Sequence, residues 1–369
     1  MTMSLFKFVH TNRTTQAKIP GKLYIAGEYA VIEPNYPAIL VTVDQYLKAT
    51  LKPLGDEETI RLHSESLDPA ILVYQPDTVV PAAWRYVCAS IKLFEQLLAE
   101  HKIPLKPFSL SFESELEAEN GIKYGFGSSG AVVLATLHAL ANYYDMRPFN
   151  SIILYKMAVM VMLSLDSPGS FGDLAAESMG GWVYYRSCDR EWIRQQLEVF
   201  PMSTVIAMDW PELEITPLEA PTNLNLAIGW TGQPASTNDF VERLSQQISH
   251  NPSPYQQFLR ASQVCLAKMR QAFDQSETSE IMKEIEIYRR LLTYLDTIYQ
   301  LGMMTEEMQT LIDKSDLVGY AAKSSGAGGG DCGIAISSSP KNRPLLVKLW
   351  RDHEVELLPY QVARPLNIR

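Results

Sequence analysis

The chain has 369 residues, 46% hydrophobic and 20% charged, a balance that suits a globular protein of two domains. Lys and Arg number 32 against 42 Asp and Glu, a net charge of −10. This disfavours non-specific nucleic-acid binding and requires that any anionic ligand be met by locally placed cations. No run of about eighteen apolar residues suggests a membrane span, and no secretory leader is evident. The scattered Cys88, Cys188, Cys265 and Cys332 form no CxxC and read as reduced thiols of a cytoplasmic protein.

In chain order, residues 22–32 and 38–51 read as strands, being rich in β-branched and aromatic residues and split by the turn signal Pro34-Asn35. Pro20-Gly21 reads as a turn just before them. Residues 84–101 have helical periodicity, 108–112 alternate like a strand, and 132–144 and 151–164 are apolar nearly all round, as buried helices are. Strands are expected at 181–186, 203–210 and 224–231. Residues 239–317 form a long helical region with breaks near Asn251-Pro252, Ser276 and Gly302. A strand (332–337), a helix (342–353) and a strand (354–360) close the chain. The early strands run together without helices between them, which predicts an α+β fold. The proline-containing stretch 217–221 divides a domain of residues 1–220 from one of 221–369.

Three glycine-containing loops carry the chemistry. KYGFGSSGAVV (123–133) contains GxGxxG. It lacks the preceding strand and following acidic residue of a dinucleotide fingerprint, the Lys-Ser/Thr of a Walker loop, and the partner motifs of a protein kinase. What remains is a loop of small residues opening into a buried helix, whose free N–H groups and dipole favour an anion. Ser128 and Ser129 offer hydroxyls for a helix cap or a metal. Taken alone, the loop fits a serine-capped turn equally well. PGK at 20–22 alone reads as a turn with a surface lysine. The third loop, SSGAGGGDCGIA (324–335), has four glycines in five positions. That lets backbone approach a bulky ligand and turn its amides toward it.

Together the three loops, PGKLYIAGEYAV, GFGSSGA and SSGAGGGDCGIA, resemble the three motifs of the GHMP kinase family, in family order and spacing. The resemblance implies the GHMP kinase fold, with an N-terminal domain like ribosomal protein S5 domain 2 and a ferredoxin-like C-terminal domain. It also implies an ATP- and Mg²⁺-dependent small-molecule kinase, monomeric or homodimeric, with no nucleic-acid or membrane partner. By the same match Lys123, Gly125, Gly127, Ser128, Ser129, Gly130 and Ala131 bind ATP phosphates. Ser325, Gly326, Ala327, Gly328, Gly329 and Asp331 lie against phosphates and acceptor. Asp331 holds its loop's shape.

Two further stretches point within the family. SPGSFGDLAAESMGGW (167–182) matches the family's Asp-containing segment and makes Asp173 the catalytic aspartate; as an isolated residue it would read as a helix cap. GWTGQPASTNDFV (229–241) is similar to a segment of the phosphomevalonate kinase and mevalonate diphosphate decarboxylase branches, and places Ser236 and Thr237 at a substrate phosphate. The sequence departs from the usual spelling at Phe126, where the family has Leu, and in GSFGD, which lacks SGxD. The second departure favours a phosphate acceptor, phosphomevalonate, over a hydroxyl. Lys22 is then expected to bridge acceptor and γ-phosphate, and Ser129 to ligate Mg²⁺, with Ser128 as its substitute. The competing readings are a mevalonate kinase or other family kinase, a decarboxylase, and a nucleotide-binding protein without catalysis.

Overall fold

The computed structural model describes residues 5–55, 59–75, 77–118, 120–233 and 237–368, with Thr237 and Asn238 in backbone only. Strands β1 (Thr15–Ala26), β2 (Pro37–Pro53), β3 (Ile60–Ser64) and β4 (Ile71–Tyr74) precede helix α1 (Arg85–Glu100) and strand β5 (Phe108–Ser114). Helices α2 (Ser128–Tyr143), α3 (Ser151–Ser164) and α4 (Gly172–Met179) follow. Strand β6 (Trp182–Arg186), helices α5 (Arg190–Val199) and α6 (Met202–Ala207), and strand β7 (Glu214–Leu218) complete the first part. All seven strands belong to one sheet, in which β2 carries β1 along one edge, and β6 and β5 in succession along the other.

Burial explains the pattern in β2. Its first seven residues are buried without a break, whereas beyond residue 46 burial alternates. A segment covered on both faces needs a continuous apolar run, and one with a wet face needs alternation. Helix α2 is buried on nearly every side. This accounts for its lack of a polar face.

The second part begins with β8 (Asn225–Trp230) and helices α7 (Thr237–His250), α8 (Pro252–Asp274), α9 (Thr278–Tyr299) and α10 (Glu306–Asp316). It ends with β9 (Ala321–Ser324), β10 (Cys332–Ser337), α11 (Arg343–Arg351) and β11 (Glu356–Leu358). Its four strands form an antiparallel sheet ordered β11-β8-β10-β9. The last residues return to the first sheet, where Ala363 N–H donates to Thr42 O at 3.0 Å and Leu366 N–H to Met179 O at 2.8 Å.

Three local expectations are corrected. Residues 203–210 are not a strand; α6 occupies most of them. Thr204, Val205 and Ile206 suggest a strand by composition, but Pro201 caps a helix there. The buried Lys156 ammonium takes up its terminal carbonyls, at 3.1 Å from Ile206 O and 2.5 Å from Met208 O, so packing overrides propensity. Pro20-Gly21 is not a turn. It lies inside β1 opposite an irregularity of β2, where the register steps from Pro20↔Tyr46 to Gly21↔Val43 and leaves Asp44 and Gln45 of β2 as the extra residues. Residues 27–32 are not strand either, because the chain turns at Gly27 and Ala30–Ile32 form a 3₁₀ turn.

Candidate active site

A cavity of about 680 Å³ is lined by parts of all three glycine loops, including Lys22, Lys123, Gly125, Ser128 and Ser129, with Asp173 and Asp331. The loops are joined directly. Lys22 N–H donates to Phe126 O at 2.9 Å, and its ammonium donates to Gly125 O at 3.1 Å. Tyr24 N–H donates to Ser325 Oγ at 2.8 Å, tying the third loop to the first. The Asp331 carboxylate packs on Gly125, where an added methyl would stand 2.5 Å from Oδ2.

At Gly21, β1 runs so close to the second loop that a methyl there would lie 2.8 Å from the Phe126 Cβ. Gly127 caps α2 in the left-handed region (φ 88°, ψ 30°) with no side-chain cap, a conformation only glycine adopts cheaply. Ser128 and Ser129 therefore begin the helix rather than cap it. Both line the cavity with the first-turn N–H groups beside them, which is an anion-binding arrangement.

Asp173 is in the first turn of α4, two residues beyond its N-cap Phe171, so it is not the cap. Its Oδ1 accepts from the adjacent Leu174 N–H at 3.0 Å, and its Oδ2 lies 3.2 Å from where a Gly130 methyl would be. Tyr24 and Ser170 brace this segment. Their hydroxyls meet at 3.0 Å, Ser170 O accepts from Tyr185 OH at 2.7 Å, and Phe171 is held at a positive φ of 63°.

The third loop divides its work. Gly326, Ala327 and Asp331 reach the cavity wall. Gly328 and Gly329 pack on Met303 and Phe240 instead, Gly329 N–H donates to Met303 O at 2.7 Å, and the Ser325 hydroxyl is engaged by Tyr24. Asp331 O accepts from Thr231 N–H and Oγ1–H at 3.1 and 2.9 Å. Gly130 and Ala131 are buried behind the wall, and Lys123 is exposed at its rim. Ser236 and the Thr237 side chain lie outside the described residues.

Two carboxylates were not anticipated from the sequence. Glu28, at the end of the first motif, is buried and paired with the fully buried Lys323 ammonium. Glu177 is fully buried on α4. Burial, then the Asp173 carboxylate, raise its pKa well above the usual range, against the opposing pull of Lys22. Its spacing of four from Asp173 was the available signal, since that spacing puts both on one helix face.

The described residues contain no cluster of three or more His, Cys, Asp or Glu suited to a metal, and no helix long and apolar enough to cross a membrane. The Ser129 hydroxyl and Asp173 carboxylate on one wall are hard oxygen donors. They fit an Mg²⁺ ion that takes most of its ligands from phosphates and water.

The GHMP kinases N terminal domain family matches residues 85–181 and the GHMP kinases C terminal family matches 269–353. A phosphomevalonate kinase of Streptomyces sp. (strain CL190) is 34% identical, over 96% of this chain and 98% of its own. Among solved structures, a Listeria innocua protein superposes with a TM-score of 0.90 at 32% identity, covering 96% of this chain and 99% of that one. Streptococcus pneumoniae phosphomevalonate kinase, in complex with phosphomevalonate and AMPPNP, gives 0.84 at 32% identity, covering 94% and 99%. The chain belongs to the GHMP kinase family and is a homologue of the phosphomevalonate kinases.

Proposed function

We propose that the protein transfers the γ-phosphate of ATP to 5-phosphomevalonate, giving 5-diphosphomevalonate and ADP. The observation that carries this reading is the convergence of three distant loops on one cavity lined by Lys22, Asp173 and the first residues of α2, Ser128 and Ser129. The pneumococcal relative, bound to both phosphomevalonate and an ATP analogue, supports the acceptor.

Phosphoryl transfer is mostly positioning and neutralisation of charge. In this reading the α2 N–H groups, with Ser128 and Lys123, bind the nucleotide phosphates. Lys22 bridges acceptor and γ-phosphate. Ser129 and Asp173 would hold an Mg²⁺ ion, which when bound would supply further neutralisation of the phosphate charge. Gly326, Ala327 and Asp331 form the wall on the third-loop side. A phosphate monoester has its second pKa near 6 and is largely deprotonated at pH 7. Asp173 therefore positions Lys22 and the acceptor rather than removing a proton. In this reading the chain divides near residue 220 into an ATP-binding part and a C-terminal part, a division supported by the break between β7 and β8.

The test is a coupled ADP-release assay with phosphomevalonate, mevalonate and mevalonate diphosphate, with CO₂ followed in the last case. Phosphomevalonate alone should drive turnover. Preferred use of mevalonate, release of CO₂, or acceptor-independent ATP binding without turnover would each replace the proposed activity.

A further inference from the structure

Glu177 follows Asp173 by one turn of α4, yet its carboxyl points into the fold rather than the cavity. It is fully buried, and neither oxygen has a hydrogen-bond partner among the described residues. The carboxyl lies against the phosphate loop: a methyl built on Gly130 would stand 2.8 Å from Oε2, and one built on Gly127 would collide with Oε1. The same Gly127 methyl would lie 3.0 Å from Lys22 Cε, so Glu177 and Lys22 flank one glycine. The charged and titratable groups facing Glu177 are Lys22 and Tyr24 of β1 and Asp173 of its own helix. From α2 it faces the helix's positive end.

A carboxylate in this place would be a buried charge without hydrogen bonds. It would also repel the neighbouring Asp173 and draw on the Lys22 charge that the phosphates require. The uncharged acid has the same shape and none of these costs. We propose that Glu177 is a positioning residue that works as the uncharged acid, forming the floor under Gly127 and Gly130 and leaving the Lys22 charge to the phosphates. This rests on the kinase reading above. A parent protein that binds no ATP would overturn that reading first, before any variant is considered.

The experiment measures the ATP dissociation constant by calorimetry, and kcat with phosphomevalonate, for the parent, Glu177→Ala and Glu177→Gln. Loss of the floor displaces the loop, and a misplacement of about 1 Å can cost on the order of a hundredfold in rate. Glu177→Ala should lower kcat by about that factor and weaken ATP binding. Glu177→Gln, neutral and of the same shape, should restore both. The acid is uncharged below its raised pKa and ionises as pH rises through it, so parent ATP binding should weaken toward alkaline pH. Glu177→Gln should lack that limb. A Gln variant as impaired as Ala would show that the charged carboxylate is needed. A Gln variant that keeps the alkaline limb, or a parent without one, would also overturn the proposal. If Glu177→Ala fails to fold, the Gln comparison decides alone.

Discussion

The Lys22 ammonium donates to the Gly125 carbonyl at 3.1 Å, in the glycine loop that lines the cavity. It needs only to leave a neutral acceptor to meet a phosphate, and a charge-assisted hydrogen bond contributes about 1.5–3 kcal/mol. If Lys22 bridges the transferring group, Lys22→Ala should lower kcat by about 10–100-fold, with little change in ATP KM. Normal kcat with a raised KM would reassign the lysine to nucleotide binding. The companion variant is Asp173→Asn. If Asp173 positions, the Asn variant should lose rate while its pH profile tracks the parent's. Steep recovery at higher pH, in step with substrate ionisation, would return the proton-abstraction role to Asp173.

At the scale of the element, the close approach of β1 to the second loop links the strand to the site. Gly21 has no room for a side chain, with Phe126 Cβ at 2.8 Å and Leu116 Cδ2 at 3.0 Å from a built methyl. Overpacking of this kind costs about 1–3 kcal/mol. Gly21→Ala should therefore lower stability by that amount in urea unfolding, and should weaken ATP binding because Phe126 belongs to the phosphate loop. Unchanged ATP affinity would mean that the loop does not lean on β1. The three loops could be read from the sequence because together, in order and spacing, they match the family's motifs; taken singly, the first two also fit ordinary turns. Helix α1 could be read from periodicity, α2 and α3 from unbroken apolar runs, and the helices after residue 239 from charged faces broken at Pro252, Ser276 and Gly302. The continuation of β1 through Pro20-Gly21 was hidden because Pro-Gly also spells a turn. Strand β9, with the sequence AAKS, was hidden because its buried Lys323 looks like a surface residue until Glu28 is seen beside it. Glu177 was hidden for the same reason: a glutamate in a short helix suggests solvent, and only the packing of α4 under the phosphate loop buries it.

In the whole molecule, Glu28 of the first motif and Lys323 of β9, next to the third loop, form a charged pair that links the first part to the second. Lys323 donates to Glu28 Oε1, Gly326 N–H reaches the same oxygen at 3.4 Å, and Tyr288 OH donates to Glu28 O at 2.8 Å. Both side chains are almost completely buried. Burial lowers the Lys323 pKa, and Glu28 opposes that shift. Removing one partner of such a pair leaves an uncompensated charge, at about 3–5 kcal/mol, whereas removing both can be nearly neutral. Lys323→Met should thus destabilise by about 3–5 kcal/mol, and adding Glu28→Gln should recover part of it. Because Gly326 shares the Glu28 oxygen, the third loop should loosen in the single variant. Hydrogen exchange at residues 325–331 should rise more than in the core strands of the first sheet. Additive losses in the double variant, with unchanged exchange in that loop, would show that the pair stabilises each part separately and does not hold the loops in register.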